Sequence, residues 1–271
     1  MAIITISRGS YSKGREVAEK VGSRLGYAVV SRDVLLGASE QFHIPEVKLV
    51  RAIHDAPSIL DRFSHGRYCY LAYIQSALAE RAVNDNLVYH GLAGHLLLKG
   101  VPHVLKVRII ADLEARVAAE MKREGLSQGQ ARELLLRDDA ERRKWTQNLY
   151  GVDPWDASLY DLVIHINQLT VDDAVDFIVQ AASRECFQST PESQQKMEDL
   201  ALACRVKAAL VKDDCVDVAV TSQFGNVMVY TKQGDRRSHR LEDRVKPLVK
   251  RIPGINHLEV RTGQPFPPEA C

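Results

Sequence analysis

The stretch from Ile3 to Glu16 limits what this chain can become more than any other. An apolar, mostly β-branched run, Ile3-Ile4-Thr5-Ile6, enters a loop bounded by Gly9 and Gly14, and Val17, Val21 and Leu25 then recur at helical spacing. Strand, glycine-bounded loop and helix together make an anion cradle. The loop N–H groups and the positive end of the helix converge on one point, and small residues let the backbone come close to it. The spacing is that of the phosphate loop G-x-x-x-x-G-K-[ST], with Arg15 where lysine is usual and Glu16 where a hydroxyl residue is usual. Gly9, Ser10, Tyr11, Ser12, Lys13, Gly14, Arg15 and Glu16 are therefore expected to hold a nucleotide's phosphates, with Arg15 on the β/γ groups. Arginine keeps the charge and offers phosphate a planar fork, but it is not the compact point charge that follows a moving phosphoryl group; Lys13 supplies a second cation. Glu16 is able to hold a metal through water, although beside phosphates of the same sign.

Composition narrows the partners. The chain has 271 residues, 45% hydrophobic and 26% charged, enough for one or two domains with a sizeable core. No apolar run approaches membrane-spanning length. The N-terminus runs straight into a strand, so a secretory leader is not expected. A net charge of +1 gives no general pull towards nucleic acid or anionic lipid. The five cysteines form no C-x-x-C and show no metal-ligand spacing with the histidines, which fits reduced, mostly buried thiols in a cytoplasm.

Residues 1–182 alternate strand and helix: strand Ile3–Ser7, helix 14–25, an extended piece Tyr27–Val30, helix 67–83, strands Leu87–His90 and Val104–Ile110, a helical stretch 112–149 broken near Gly125, strand Leu162–Ile166 and helix 171–182. The expected fold class is α/β, a parallel sheet with helices on both faces. Residues 188–195 have linker composition. Beyond them the order is helix 196–211, strands around Val216–Val220 and Val227–Tyr230, helix 235–250 and strand Ile255–Val260, a small αββαβ α+β domain. The divisions are 1–187, linker 188–195, 196–264 and a loose, proline-containing tail 265–271, and the first unit is expected to fold without residues 190–271.

The loop Ile6-Ser7-Arg8…Gly14-Arg15-Glu16, the arginine-rich stretch from Arg116 to Arg143 and Tyr160-Asp161-Leu162-Val163-Ile164 together resemble the cytidylate kinase-like family, P-loop relatives of the nucleoside monophosphate kinases. The resemblance implies a P-loop kinase fold and transfer of the ATP γ-phosphoryl group to a nucleoside monophosphate such as CMP, with Mg2+. It also implies roles. Arg116 matches the arginine that opens the lid, and Asp139-Ala140-Glu141-Arg142 matches a D-x-x-R in which Asp139 and Arg142 engage nucleotide and phosphates. Arg137 is a looser match on the substrate side. Arg32 and Asp33 occupy the place that faces the acceptor's base or sugar; Asp33 equally suits capping of the next helix. Gly91 is retained from the acceptor-phosphate motif, but His90 replaces its acid and Leu92 its arginine, leaving His90 and His95 to take over. His43, His54 and His65 read as surface or core histidines.

Phosphoryl transfer needs cations around the moving group and exclusion of water, which a basic helical hairpin supplies. The competing reading of the same residues is a solvated helix laced with charge pairs, because acids are interleaved throughout. At the level of function, the competitor to a kinase is a catalytically degenerate nucleotide sensor.

The C-terminal unit resembles a BON domain through Val218-x-Val220, Gly225-x-Val227-x-Val229 and Gly254-Ile255-x-x-Leu258-x-Val260. That likeness implies a module that regulates, docks or forms a homodimer. The basic helix bearing Arg236, Arg237, Arg240 and Arg244 is either a solvated face or a site for an anionic ligand or protein partner.

Overall fold

The computed structural model describes residues 1–9, 12–31, 64–212, 215, 217–232, 243, 245–248 and 251–271. Ser10, Tyr11, Arg32, Asp33, His43, His54 and most of the basic helix 235–250 lie outside the described residues; residues 243, 245–248 and 251 are helical.

Five parallel strands form the main sheet: β1 (Ile3–Arg8), β2 (Ala28–Val30), β3 (Leu87–His90), β4 (Val104–Ala111) and β5 (Leu162–Ile166), in the order β2-β3-β1-β4-β5. The chain leaves β1 towards β2 on one side and leaves β4 towards β5 on the other. The crevice at the carboxyl ends of β1 and β4 is thus a topological switch point, the position where open α/β sheets bind ligands.

Alternation along the strands assigns the two faces. Ile4 and Ile6 of β1, Val88 of β3, Leu105, Val107 and Ile109 of β4, and Ile164 and Ile166 of β5 point one way. They pack on Val17, Ala18 and Val21 of α1 (Gly14–Leu25) and on Ala174, Val175 and Ile178 of a helix that becomes α6 (Val171–Ala182). The start of α6 is fixed by a reciprocal cap, in which Thr170 and Asp173 each bond the other's backbone N–H. Lys20–Asp172 and Arg24–Asp176 ion pairs tie α1 to α6 on the solvent side.

The opposite face carries Ile3, Leu87, Tyr89 and Val104 and is covered by α2 (Ser64–Ala82) and the short α3 (Gly94–Leu97). Between β4 and β5 a helical hairpin, α4 (Leu113–Glu124) and α5 (Gln128–Tyr150), closes on its own small core of Val117, Ala131 and Leu135.

A three-stranded sheet follows α7 (Pro191–Lys212): β6 (Val218–Gln223) pairs antiparallel with β7 (Asn226–Thr231), and β7 pairs parallel with β8 (His257–Thr262). Two expectations need correction here. Residues 191–195, read as linker, are the first turn of α7. Thr190 and Ser193 exchange side-chain-to-backbone hydrogen bonds of 2.9 and 3.1 Å, and Pro191 sits where its missing N–H costs nothing. The tail 265–271 is docked rather than loose. Cys271 is buried, and its N–H and C=O pair with Val220 of β6 at 3.1 and 3.3 Å, while Lys232 lies over the Phe266 ring.

The two sheets also share a core. Met197, Ala201, Cys204 and Ala208 of α7 belong to one buried cluster with Tyr73, Ala77 and Leu78 of α2 on one side and Val220, Val227 and Val229 on the other. Gln194 donates to the Val83 carbonyl at 2.7 Å, and Arg205 pairs with Glu80 at 3.0 Å. Whether residues 1–189 fold without this packing is measured by the truncation described in the Discussion.

Candidate functional site

The loop after β1 is held against β4. Gly9 N–H donates to Ile109 C=O at 3.4 Å. Ser12 is fully buried, and its hydroxyl lies 3.0 Å from the Gly9 carbonyl and 3.1 Å from the Ile109 carbonyl, so its single proton serves the loop's own backbone. Gly14 opens α1 so close to β1 that a Cβ there would come within 2.8 Å of the Arg8 Cβ. Lys13 caps α1 in the left-handed region (φ 62, ψ 9), a conformation that costs a side-chain-bearing residue about 1 kcal/mol. Its side chain is exposed and makes no hydrogen bond or ion pair among the described residues.

Arg15 and Glu16 point elsewhere than the sequence reading placed them. Arg15 is 72% exposed, with Nε donating to Glu19 at 2.8 Å along the outer face of α1, and Glu16 lies 3.6 Å from Lys20. Both are i,i+4 helix pairs, the geometry that Coulomb attraction favours on a solvated helix. Among the described residues, Lys13 is the loop cation without an ion-pair partner.

Arg116 and Asp139 are brought to the loop. The Arg116 guanidinium lies 3.8–4.0 Å from the position a Cβ on Gly9 would take. The same group pairs with Asp139 of α5 at 2.7 Å; the two side chains are only 10% and 16% exposed. One cation thus spans the start of α4, the loop after β1 and α5.

Arg142 is half-buried and Arg137 exposed on the same helix, and neither side chain makes a hydrogen bond or ion pair among the described residues. Most other cations of the hairpin are paired: Arg132 with Glu114, Arg123 with Glu120, and Arg143 with Asp153 at 2.5 Å, where it also lies 4.4 Å over the Trp155 ring. For those residues the charge-pair reading describes the structure.

On the far side of β1, Gly91 turns the chain out of β3 around Tyr89, into whose ring a Cβ at Gly94 would collide at 2.5 Å. Leu92 packs against the core. His95 on α3 stacks on Tyr160, with ring centroids 4.6 Å apart, and the Tyr160 hydroxyl lies 3.0 Å from the Pro154 carbonyl and 3.4 Å from Ser7 Oγ. Arg108 also reaches Pro154 C=O and sits 5.6 Å over the Tyr160 ring. Sequence reasoning flagged Tyr160 as motif and His95 as a substitute, but no local spacing joins them to Arg108.

Ser12 Oγ is committed to backbone carbonyls and Glu16 to Lys20. No group of three or more His, Cys, Asp or Glu side chains suited to a metal occurs among the described residues. Among the described residues, then, no preformed set of protein donors for Mg2+ stands at the loop.

Strand order, loop and lid define a P-loop kinase-like fold. Residues 3–168 match the Cytidylate kinase-like family, more than half of the chain, and the protein belongs to that family. Among curated relatives, a cytidylate kinase of Pyrococcus horikoshii is 33% identical over 103 residues, 38% of this chain and 52% of that protein. A uronate isomerase of Corynebacterium glutamicum is 35% identical over 104 residues, 38% of this chain and 20% of that protein. The chain thus spans about half of the kinase and a fifth of the isomerase. An uncharacterized protein from Eubacterium ventriosum superposes with a TM-score of 0.52 at 18% identity, covering 68% of this chain and 100% of its own, which is a likeness of fold. No described helix is long and apolar enough to cross a membrane.

Lys13→Gly separates binding from folding in the loop. Relief of left-handed strain offsets the added freedom of the unfolded chain, so stability should stay within about 0.5 kcal/mol. ATP affinity should fall severalfold through the lost charge. Urea melts and calorimetry measure the two, and a loss of stability with unchanged ATP binding would assign Lys13 to the fold alone.

Proposed function

We propose that the chain is an ATP-dependent phosphotransferase acting on a nucleoside monophosphate, CMP-like, or a similar small acceptor. The observation that carries this reading is Arg116, poised over Gly9 and held there by Asp139 of the lid helix. A donor triphosphate seated on the loop N–H groups meets Arg116 and Lys13, and closure of α5 brings Arg142 and Arg137 towards the same charge. Arg15, which the loop spacing assigns to the β/γ-phosphates, reaches them only by leaving Glu19. Asp33, Arg32 and the Gly91 turn are proposed to face the acceptor. The divalent cation that kinases use would arrive with the triphosphate, coordinated by its oxygens and water.

One observation favours a second reading. Leu92 fills with apolar packing the place where the family carries the acceptor-gripping arginine. A nucleotide sensor would keep the loop and Arg116 while losing the acceptor. Such a sensor would signal through the C-terminal unit, which we read as BON-like on its αββαβ order. A cavity of about 680 Å3 between α2, α7 and the tail is lined by Lys99, Lys207 and Lys232 together with Asp217, Glu269 and several apolar side chains, a mixed lining that suits a small amphipathic ligand. A protein or homodimer partner at this unit, and a cytoplasmic location, complete the proposal.

A coupled ADP-release assay across a panel of monophosphates decides between the readings. Turnover with any acceptor supports the kinase; tight ATP binding without turnover supports the sensor; no nucleotide-induced thermal shift removes both.

A further inference from the structure

His95 carries hydrogen-bonding capacity that the fold leaves unused. The residue is 5% exposed, and neither Nδ1 nor Nε2 has a hydrogen-bond partner among the described residues. A buried polar atom without a partner costs about 1–3 kcal/mol, and each such atom in a native protein calls for an explanation. Two on one ring are a larger debt than a core position tolerates when leucine would fill the same space.

The backbone strains to deliver this ring. Ala93 caps α3 in the left-handed region at φ 58, two residues before His95, with no side-chain hydrogen bond to stabilise it. Gly91 and Gly94 are both required by the Tyr89 ring against which the turn is folded. Strain of this kind persists where the surroundings over-determine it, commonly at binding sites.

The location is the switch-point crevice. His95 stacks on Tyr160, whose hydroxyl approaches Ser7, and Ser7 lies two residues before Gly9 of the phosphate loop. The ring therefore stands on the sheet face opposite α1, across β1 from the cradle. Its neighbours Arg108 and Lys106 are cationic, and burial together with those charges pushes the imidazole down to about 4. At neutral pH it is uncharged, with one nitrogen donating and the other accepting. A phosphate dianion only accepts and would use one of the two ring nitrogens, whereas an uncharged group that both donates and accepts engages the pair.

We propose that His95 is a binding residue of the acceptor pocket, hydrogen-bonding a hydroxyl or ring-amide group of the acceptor and so selecting molecules that carry one. This rests on the phosphotransferase reading above and specifies which part of the acceptor the β3–α3 turn reads.

The test uses the full chain with 15N-labelled histidine. The His95 imidazole signals are assigned by their loss in His95→Gln, then followed as CMP, UMP, AMP, GMP or ribose 5-phosphate is added with a non-hydrolysable ATP analogue present. At least one ring nitrogen is expected to shift on saturation. Shifts with nucleotides but not ribose 5-phosphate assign the contact to the base, and shifts with all assign it to the sugar. In parallel, His95→Leu is expected to raise the acceptor KM tenfold or more with the ATP KM unchanged within about threefold, and His95→Gln to recover part of that loss. Should His95→Leu fail to fold, the wild-type titration and His95→Gln still decide. ATP-analogue binding without any imidazole shift from this panel overturns the inference and leaves the loop reading intact. Failure to bind the ATP analogue overturns the loop reading first, and the inference with it.

Discussion

Arg116→Ala is expected to lower kcat/KM by about 10²–10³-fold, the usual effect of removing one charge donor from a phosphoryl- or acyl-transfer site. The side chain sits over Gly9 and is fixed by Asp139, so its position is set before nucleotide arrives. Preorganised charge in a partly dry site stabilises a transition state more than a mobile surface cation does, because no reorganisation accompanies the reaction. Removing Arg116 also takes away the cation 2.7 Å from Asp139, so that carboxylate repels the triphosphate more strongly. Arg116→Ala combined with Asp139→Ala is therefore expected to bind ATP better than Arg116→Ala alone. Arg15→Ala is expected to change ATP affinity less than threefold, since Arg15 is already engaged with Glu19 in solvent. Steady-state kinetics and calorimetry on the three variants measure this ordering. An Arg15 effect as large as that of Arg116 would return the phosphate role to Arg15.

The second large effect concerns the fold. A chain ending at residue 190 is expected to lack a cooperative melt, because α7 closes the core over α2. Met197, Ala201, Cys204 and Ala208 are buried in a cluster that continues from the parallel sheet to the small one. Deleting α7 would expose that face of α2 and leave the Val83 carbonyl and Glu80 without their α7 partners. A milder form of the experiment keeps the full chain. Met197→Ala removes a fully buried side chain and should cost about 2–5 kcal/mol, with both sheets unfolding in one transition. A shortened chain that melts cooperatively, or two separate transitions in the variant, would show that the units are thermodynamically independent.

The sequence told most where the signal is local. β3 and β5 fall at Leu87–His90 and Leu162–Ile166, as read from short apolar runs bounded by turn residues. α6 covers Val171–Ala182 because its cap and apolar stripe lie within twelve residues. The glycine loop was legible for the same reason, since strand, loop and helix are contiguous. Arg15 could have been assigned to Glu19 from i,i+4 spacing alone, had the phosphate-loop template not claimed it.

What escaped is tertiary. The Arg116–Asp139 contact joins residues 23 apart across a hairpin, and neither spacing nor composition distinguishes that pair from the solvated pairs around it. His95 meets Tyr160 and Arg108 only because three strands converge. The polar residues after Ser189 read as linker because Gln and Ser carry no apolar periodicity, yet Thr190, Pro191 and Ser193 are start signals for a helix. The tail looked loose because prolines dominate it, and its pairing with Val220 depends on an available edge of β6.

The central claim is that the Gly9–Gly14 turn and Arg116 clasp the terminal phosphates of a nucleoside triphosphate. The most direct measurement is a crystal structure of the full chain with a non-hydrolysable ATP analogue. The account predicts terminal phosphate oxygens within hydrogen-bonding distance of the loop N–H groups and of the Arg116 guanidinium. An analogue bound elsewhere, with Arg116 still closed on Asp139 over an empty turn, would contradict it.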